Sequence, residues 1–146
     1  MAFSVIELIE NGELYEYVAT AGGPLPEPIV RFYFRQLLSA MHHMTTNSLV
    51  HRDLKLDNIM LDNNFNLKVI DFGFCAPLAG RTGEGLLHTI LGTKMYMAPE
   101  IHAGEAYYGN EVDLFAAAVC CFALRAGFFP FDEAKPQSDK VYRLIA

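Results

Sequence analysis

Two short apolar runs, Ile59-Met60-Leu61 and Leu67-Lys68-Val69-Ile70, flank Asp62-Asn63-Asn64-Phe65-Asn66. Asp and Asn accept the tight backbone conformations of turns, so the two runs are expected to pair as an antiparallel hairpin. That single element constrains its surroundings. Asn58 immediately precedes the first strand and Asp71 immediately follows the second. A hairpin would therefore bring two oxygen-bearing side chains, thirteen residues apart in the chain, to one open end.

Around the hairpin the chain reads as mainly helical, giving an α+β fold class that is mainly α. Val5 to Ile9 is expected to form a short strand, ended by Asn11-Gly12 and followed by a short helix around Leu14 to Ala19. From Pro28, tolerable in a first helical turn, to about Met44, the residues Val30, Phe34, Leu37, Met41 and Met44 recur at helical spacing. Gly22 to Pro28 is a loop and not a domain linker. Between Gly73 and Glu100 no period persists, and a loop that long inside a compact domain is functional or disordered. Glu111 to Ala126 is apolar on nearly every side, the pattern of a central buried helix. Ser138 to Ala146 reads as part of another amphipathic helix, so that both ends of the chain look cut.

The 146 residues, 52% of them hydrophobic, suit one globular domain with a core of its own. A net charge of -6 argues against nucleic acid or anionic membrane as the main partner. Cys75, Cys120 and Cys121 form neither a Cys-x-x-Cys pair nor an even disulfide set, which fits a reducing, cytoplasmic (intracellular) location. The start lacks a basic leader segment, and the longest apolar run, Leu114 to Leu124, is eleven residues, too short to span a bilayer.

Just before the hairpin stands His51-Arg52-Asp53-Leu54-Lys55-Leu56-Asp57-Asn58, and just after it Asp71-Phe72-Gly73. Phosphoryl transfer needs positioned magnesium, a group to deprotonate the attacking hydroxyl, and cations for the spreading charge. Asp53 offers a carboxylate for the proton, and Lys55 would point to the same side of an extended loop. Asn58 and Asp71 offer the oxygen ligands that Mg2+ prefers. Phe72 and Gly73 would fix the Asp71 loop by packing and by backbone freedom.

These motifs occur in order with Gly92-Thr93-Lys94-Met95-Tyr96-Met97-Ala98-Pro99-Glu100, at spacings that resemble the eukaryotic protein kinase family. The resemblance covers nearly the whole chain and implies a protein-kinase-like C-terminal lobe with short β-hairpins. Residues 1–13 would be hinge strand and linker and 14–146 a truncated larger lobe, with the N-terminal lobe and its glycine-rich loop largely absent. It implies Asp53 as catalytic base, Lys55 as phosphate contact, and Asn58 and Asp71 as metal ligands, with ATP and Mg2+ as cofactors. Lys55 together with Gly92-Thr93 looks like the serine/threonine branch, which places Thr93 near Asp53 and Lys55. In the hinge, Glu7 to Ile9 resembles the adenine-binding strand, Ile6 the gatekeeper position, Glu13 a ribose contact and Met60 the adenine floor. Thr89 stands where many members are phosphorylated, with Arg52 to receive the phosphate. The implied activity is γ-phosphoryl transfer from ATP to a protein Ser/Thr hydroxyl. The rival reading is a non-catalytic kinase-like interaction module, and a small-molecule phosphotransferase shares the Asp and Asn chemistry.

Other residues have plainer readings. By the same resemblance Glu100 and Asp113 are structural, Asp113 holding the backbone of the Asp53 loop, and His51 is a packing residue. His42-His43 lacks an obvious third and fourth metal ligand. Cys75 reads as a small buried thiol and Phe128-Phe129-Pro130-Phe131 as core and loop packing. Phe115 and Ala118 replace the family's usual Trp and Gly while keeping an apolar role. Truncation is expected to strip apolar cover from Phe122 and Phe131 and to leave the chain weakly stable.

Overall fold

A computed structural model describes residues 3, 5–80 and 83–146. Helix α1 (Leu14–Ala21) and the long helix α2 (Glu27–Thr46) precede strand β1 (Leu49–Val50) and the hairpin strands β2 (Ile59–Leu61) and β3 (Leu67–Val69). Strands β4 (Ala76–Pro77) and β5 (Leu86–Leu87), helix α3 (Pro99–Ala103), strand β6 (Tyr107–Tyr108) and helix α4 (Gly109–Ala126) follow. Single 3-10 turns occur at Leu56–Asn58, Phe72–Phe74, Lys94–Tyr96 and Tyr142–Leu144. The fold is α+β and mainly α. No helix among the described residues is long and apolar enough to cross a membrane.

Pro28 sits in the first turn of α2, where its missing N–H has no helical partner to lose. The helix buries Val30, Leu37 and Met44, one apolar stripe at helical spacing. At its far end the Asn47 side chain donates to the His43 carbonyl at 2.8 Å, closing a helix terminus that lacks further intrahelical partners. Helix α2 packs against α4, whose buried side chains there include the small Ala116, Ala117, Cys120 and Ala123. The start of α4 approaches β1 so closely that a Cβ on Gly109 would stand 2.5 Å from Val50 Cγ2.

The expected hairpin forms, with Ile59 opposite Val69, Met60 opposite Lys68 and Leu61 opposite Leu67. Its turn is held by Asp62, whose Oδ1 accepts the N–H groups of Asn64 and Asn66 at 2.9 and 2.8 Å. Those bonds, the one from Asn66 foremost, hold the Asp62 carboxyl below its ordinary range. Among the described residues only this pair is a hairpin. The other two ladders, β1 with β4 and β5 with β6, join strands distant in sequence, so the plural hairpins of the sequence reading are corrected to one. Leu14, Leu54, Leu56, Ile59, Leu61 and Cys120 are fully buried between the hairpin and the helices.

Four expectations are revised. Val5 to Ile9 is irregular, because no strand among the described residues pairs with it, and an unpaired ladder leaves backbone groups to water. Ser138 to Ala146 makes one 3-10 turn in place of a helix. Tyr142 is buried there, whereas Val141, Leu144 and Ile145 are exposed, and a single turn anchored by one side chain does not propagate. Helix α4 is central, yet Leu114 and Phe122 on its flank are exposed. Phe131 keeps its cover, buried against Phe115 and Tyr142 with ring centroids 6.1 and 5.0 Å away.

Candidate active site

The loop after β1 hangs from one carboxylate. Asp113 of α4 accepts the N–H of His51 on Oδ2 and the N–H of Arg52 on Oδ1, each at 2.7 Å. Two consecutive amides can face one acceptor because Arg52 adopts a left-handed backbone with φ 69°. Burial pushes the Asp113 carboxyl above its ordinary range, against the pull of those two amides. The fully buried His51 ring then joins two loops. Its Nδ1 faces the Asp53 N–H at 3.3 Å and its Nε2 faces the Ile70 carbonyl at 3.0 Å. An amide can only donate and a carbonyl only accept, so the proton resides on Nε2.

Asp53, thus placed and itself buried, meets three side chains. Its Oδ1 accepts the Thr93 hydroxyl at 3.0 Å. Its Oδ2 lies 3.0 Å from Lys55 Nζ. The same ammonium donates to Thr93 Oγ1 at 3.1 Å, closing a three-membered ring of polar groups. Thr93 reaches the loop because Gly92 lacks a side chain: at φ 114° a Cβ would stand 3.2 Å from the Arg52 carbonyl. Asn58 Nδ2 donates to the Asp53 carbonyl at 2.9 Å. Below the loop, the buried Tyr96 hydroxyl accepts the Leu56 N–H at 3.3 Å, and desolvation raises its pKa.

The hairpin brings Asp71 to Asn58, as its ends require. Ile70 N–H donates to the Asn58 carbonyl at 3.0 Å, so the residue beside Asp71 is tied to Asn58 itself. Asp71 has a left-handed backbone, φ 60°, and its Oδ1 accepts the Gly73 N–H at 3.2 Å. The Phe72 ring packs edge-on against His51 at 5.1 Å.

Arg52 and Thr89 line one cavity of about 380 Å3 with Cys75, His88 and Leu87. Arg52 Nε donates to the Phe74 carbonyl at 2.7 Å, and Cys75 is half-buried. Glu13 bridges Met60 as an added antiparallel partner of β2. Ile9 is half-buried, whereas Ile6 and Glu7 are exposed. Glu7 pairs with Lys68 at 3.0 Å, a contact that the sequence reading missed, since 61 residues separate the partners. Tyr96 was also passed over, because a lone Tyr inside a longer motif carries no sign of the amide it receives.

A family model for the protein kinase domain matches residues 2–145. The chain belongs to the eukaryotic protein kinase family. The chain is 43% identical over 131 residues to CBL-interacting protein kinase 31 of Oryza sativa subsp. japonica, covering 90% of the chain and 29% of the relative. It is 42% identical over 143 residues to CBL-interacting serine/threonine-protein kinase 19 of Arabidopsis thaliana, covering 97% and 29% respectively. Maternal embryonic leucine zipper kinase of Danio rerio is 42% identical over 131 residues, 90% of the chain and 19% of that protein. The chain thus spans less than a third of the length of these curated relatives.

Proposed function

We propose that the chain is the hinge and larger C-terminal lobe of a protein serine/threonine kinase, which transfers the γ-phosphoryl group of ATP to a Ser or Thr hydroxyl of a protein. The observation that carries the reading is the convergence of Asp53, Lys55 and Thr93 in one ring of contacts near 3 Å, with Asn58 bonded to the same loop. In this reading Asp53 orients the incoming hydroxyl and accepts its proton. Lys55 places a positive charge where the transferred group gathers negative charge. Thr93 fixes both side chains, and residues 1–13 form the hinge against which Met60 makes the adenine floor.

The donor set fits magnesium. Asn58 has committed its amide nitrogen to Asp53, leaving its oxygen as ligand, and Asp71 adds a carboxylate. Magnesium held there would neutralise phosphate charge. Thr89 is the proposed phosphorylation point and Arg52 its receiving cation, on the support of their shared cavity. The partners are then a protein substrate and a regulatory protein, within the cytoplasm.

Isothermal calorimetry of the purified chain with Mg-ATP tests the reading, with Asp71→Ala as control. Magnesium-dependent binding that the control loses is the expected result. A folded sample that binds no Mg-ATP would favour an interaction module instead.

A further inference from the structure

The segment from Val5 to Ile9 runs without regular structure, and Phe3, Val5, Ile6 and Leu8 are each more than four-fifths exposed. Among the described residues, backbone bonds to the body begin only later, where Asn11 N–H donates to the Leu61 carbonyl at 3.1 Å and the Gly12 carbonyl accepts from Leu61 at 3.0 Å. Among the described residues before Asn11, Glu7 makes the one polar side-chain tie to that body. Lys68 Nζ reaches both of its carboxylate oxygens, at 3.0 and 3.4 Å. Lys68 stands in β3 directly opposite Met60 in β2, and it lies three residues before Asp71. One ammonium therefore connects the free segment to the strand pair that carries the proposed adenine floor and metal ligand.

We infer that Lys68 is a positioning residue, which tethers the 5–9 segment through Glu7 and so presets the nucleotide-binding edge. This rests on the proposed nucleotide site. A segment with few packed contacts samples many conformations, and ordering it on binding costs affinity. A tie formed beforehand lowers that cost. Being half-exposed, the pair acts modestly and weakens as salt screens it.

The test uses the whole chain in four forms: unchanged, Lys68→Glu, Glu7→Lys, and the double charge swap Glu7→Lys/Lys68→Glu, with Lys68→Arg as conservative control. NMR relaxation of amides 5–9 reads the order of the segment without nucleotide, and calorimetry reads Mg-ATP affinity. Each single reversal is expected to lower the order parameters of residues 5–9 and to weaken Mg-ATP binding by about threefold. The swap and Lys68→Arg should restore both, with thermal stability equal throughout. Unchanged order in Lys68→Glu, or an affinity loss that the swap does not recover, overturns the tether. Should the unchanged chain bind no Mg-ATP, the proposed function fails, and the order parameters still decide for or against the tether.

Discussion

Asp113 shows how much one buried residue can carry. Its two oxygens hold the amides of His51 and Arg52, and those amides set where Asp53 begins. Asp113→Ala leaves both N–H groups without an acceptor in a closed site, at a cost of about 3 kcal/mol. Asp113→Asn should lose nearly as much, since an amide offers one acceptor and turns N–H toward the other donor. Urea midpoints of the two variants check this, and a shift below about a third of that size would discount the role. Thr89 presents a different case, because its proposed effect depends on phosphate. In a catalytically competent form, Thr89→Ala should lower activity only relative to phosphorylated protein and match phosphatase-treated protein. Equal rates for phosphorylated protein and Thr89→Ala would sink the assignment.

Among the elements, α4 and the C-terminal segment carry the sharpest expectations. Gly109→Ala would gain about 1 kcal/mol of helix propensity in an open site. Here the new methyl meets Val50 at 2.5 Å, and overpacking costs about 1 to 3 kcal/mol. We expect net destabilisation that Val50→Ala partly relieves in the double variant, measured as a coupling in a thermal or urea cycle. Asp139 staples two stretches at once, accepting the N–H groups of Asp132, Glu133, Val141 and Tyr142. These bonds, the one from Tyr142 first, depress its carboxyl below the ordinary value of 3.8. The native state then binds fewer protons than the unfolded chain, so the staple stabilises fully above that value and fades as pH falls through the lower folded one. The melting-temperature gap between the unchanged chain and Asp139→Asn should shrink below about pH 4. A gap independent of pH would refute the staple. Elements with strong local signals were legible beforehand: α2 from its apolar period and the β2–β3 hairpin from its Asp/Asn turn. The segment at 5–9 and the end at 138–146 were not, because a strand needs a partner and a helix turn needs a packed face, and neither condition is written locally.

For the molecule as a whole, Phe122, Phe128, Leu144 and Ile145 present apolar surface to water. The chain should therefore melt at low temperature and self-associate as concentration rises, as sedimentation velocity would show. A monomer with a sharp, high-temperature melt would contradict this. The proposed site was readable in kind, since oxygen and ammonium groups in a fixed order suit one chemistry. Its geometry was not, because Thr93 closes on Asp53 only through the bare backbone of Gly92, and Glu7 meets Lys68 from 61 residues away in the chain. The His51 ring has one more consequence. With one nitrogen on the Asp53 amide and the other on the Ile70 carbonyl, neither loop can swing away without breaking a bond in a sealed interior. The Asp53 loop and the strand that leads to Asp71 should open as a single cooperative unit, with matching rates of amide exchange on both sides of the imidazole.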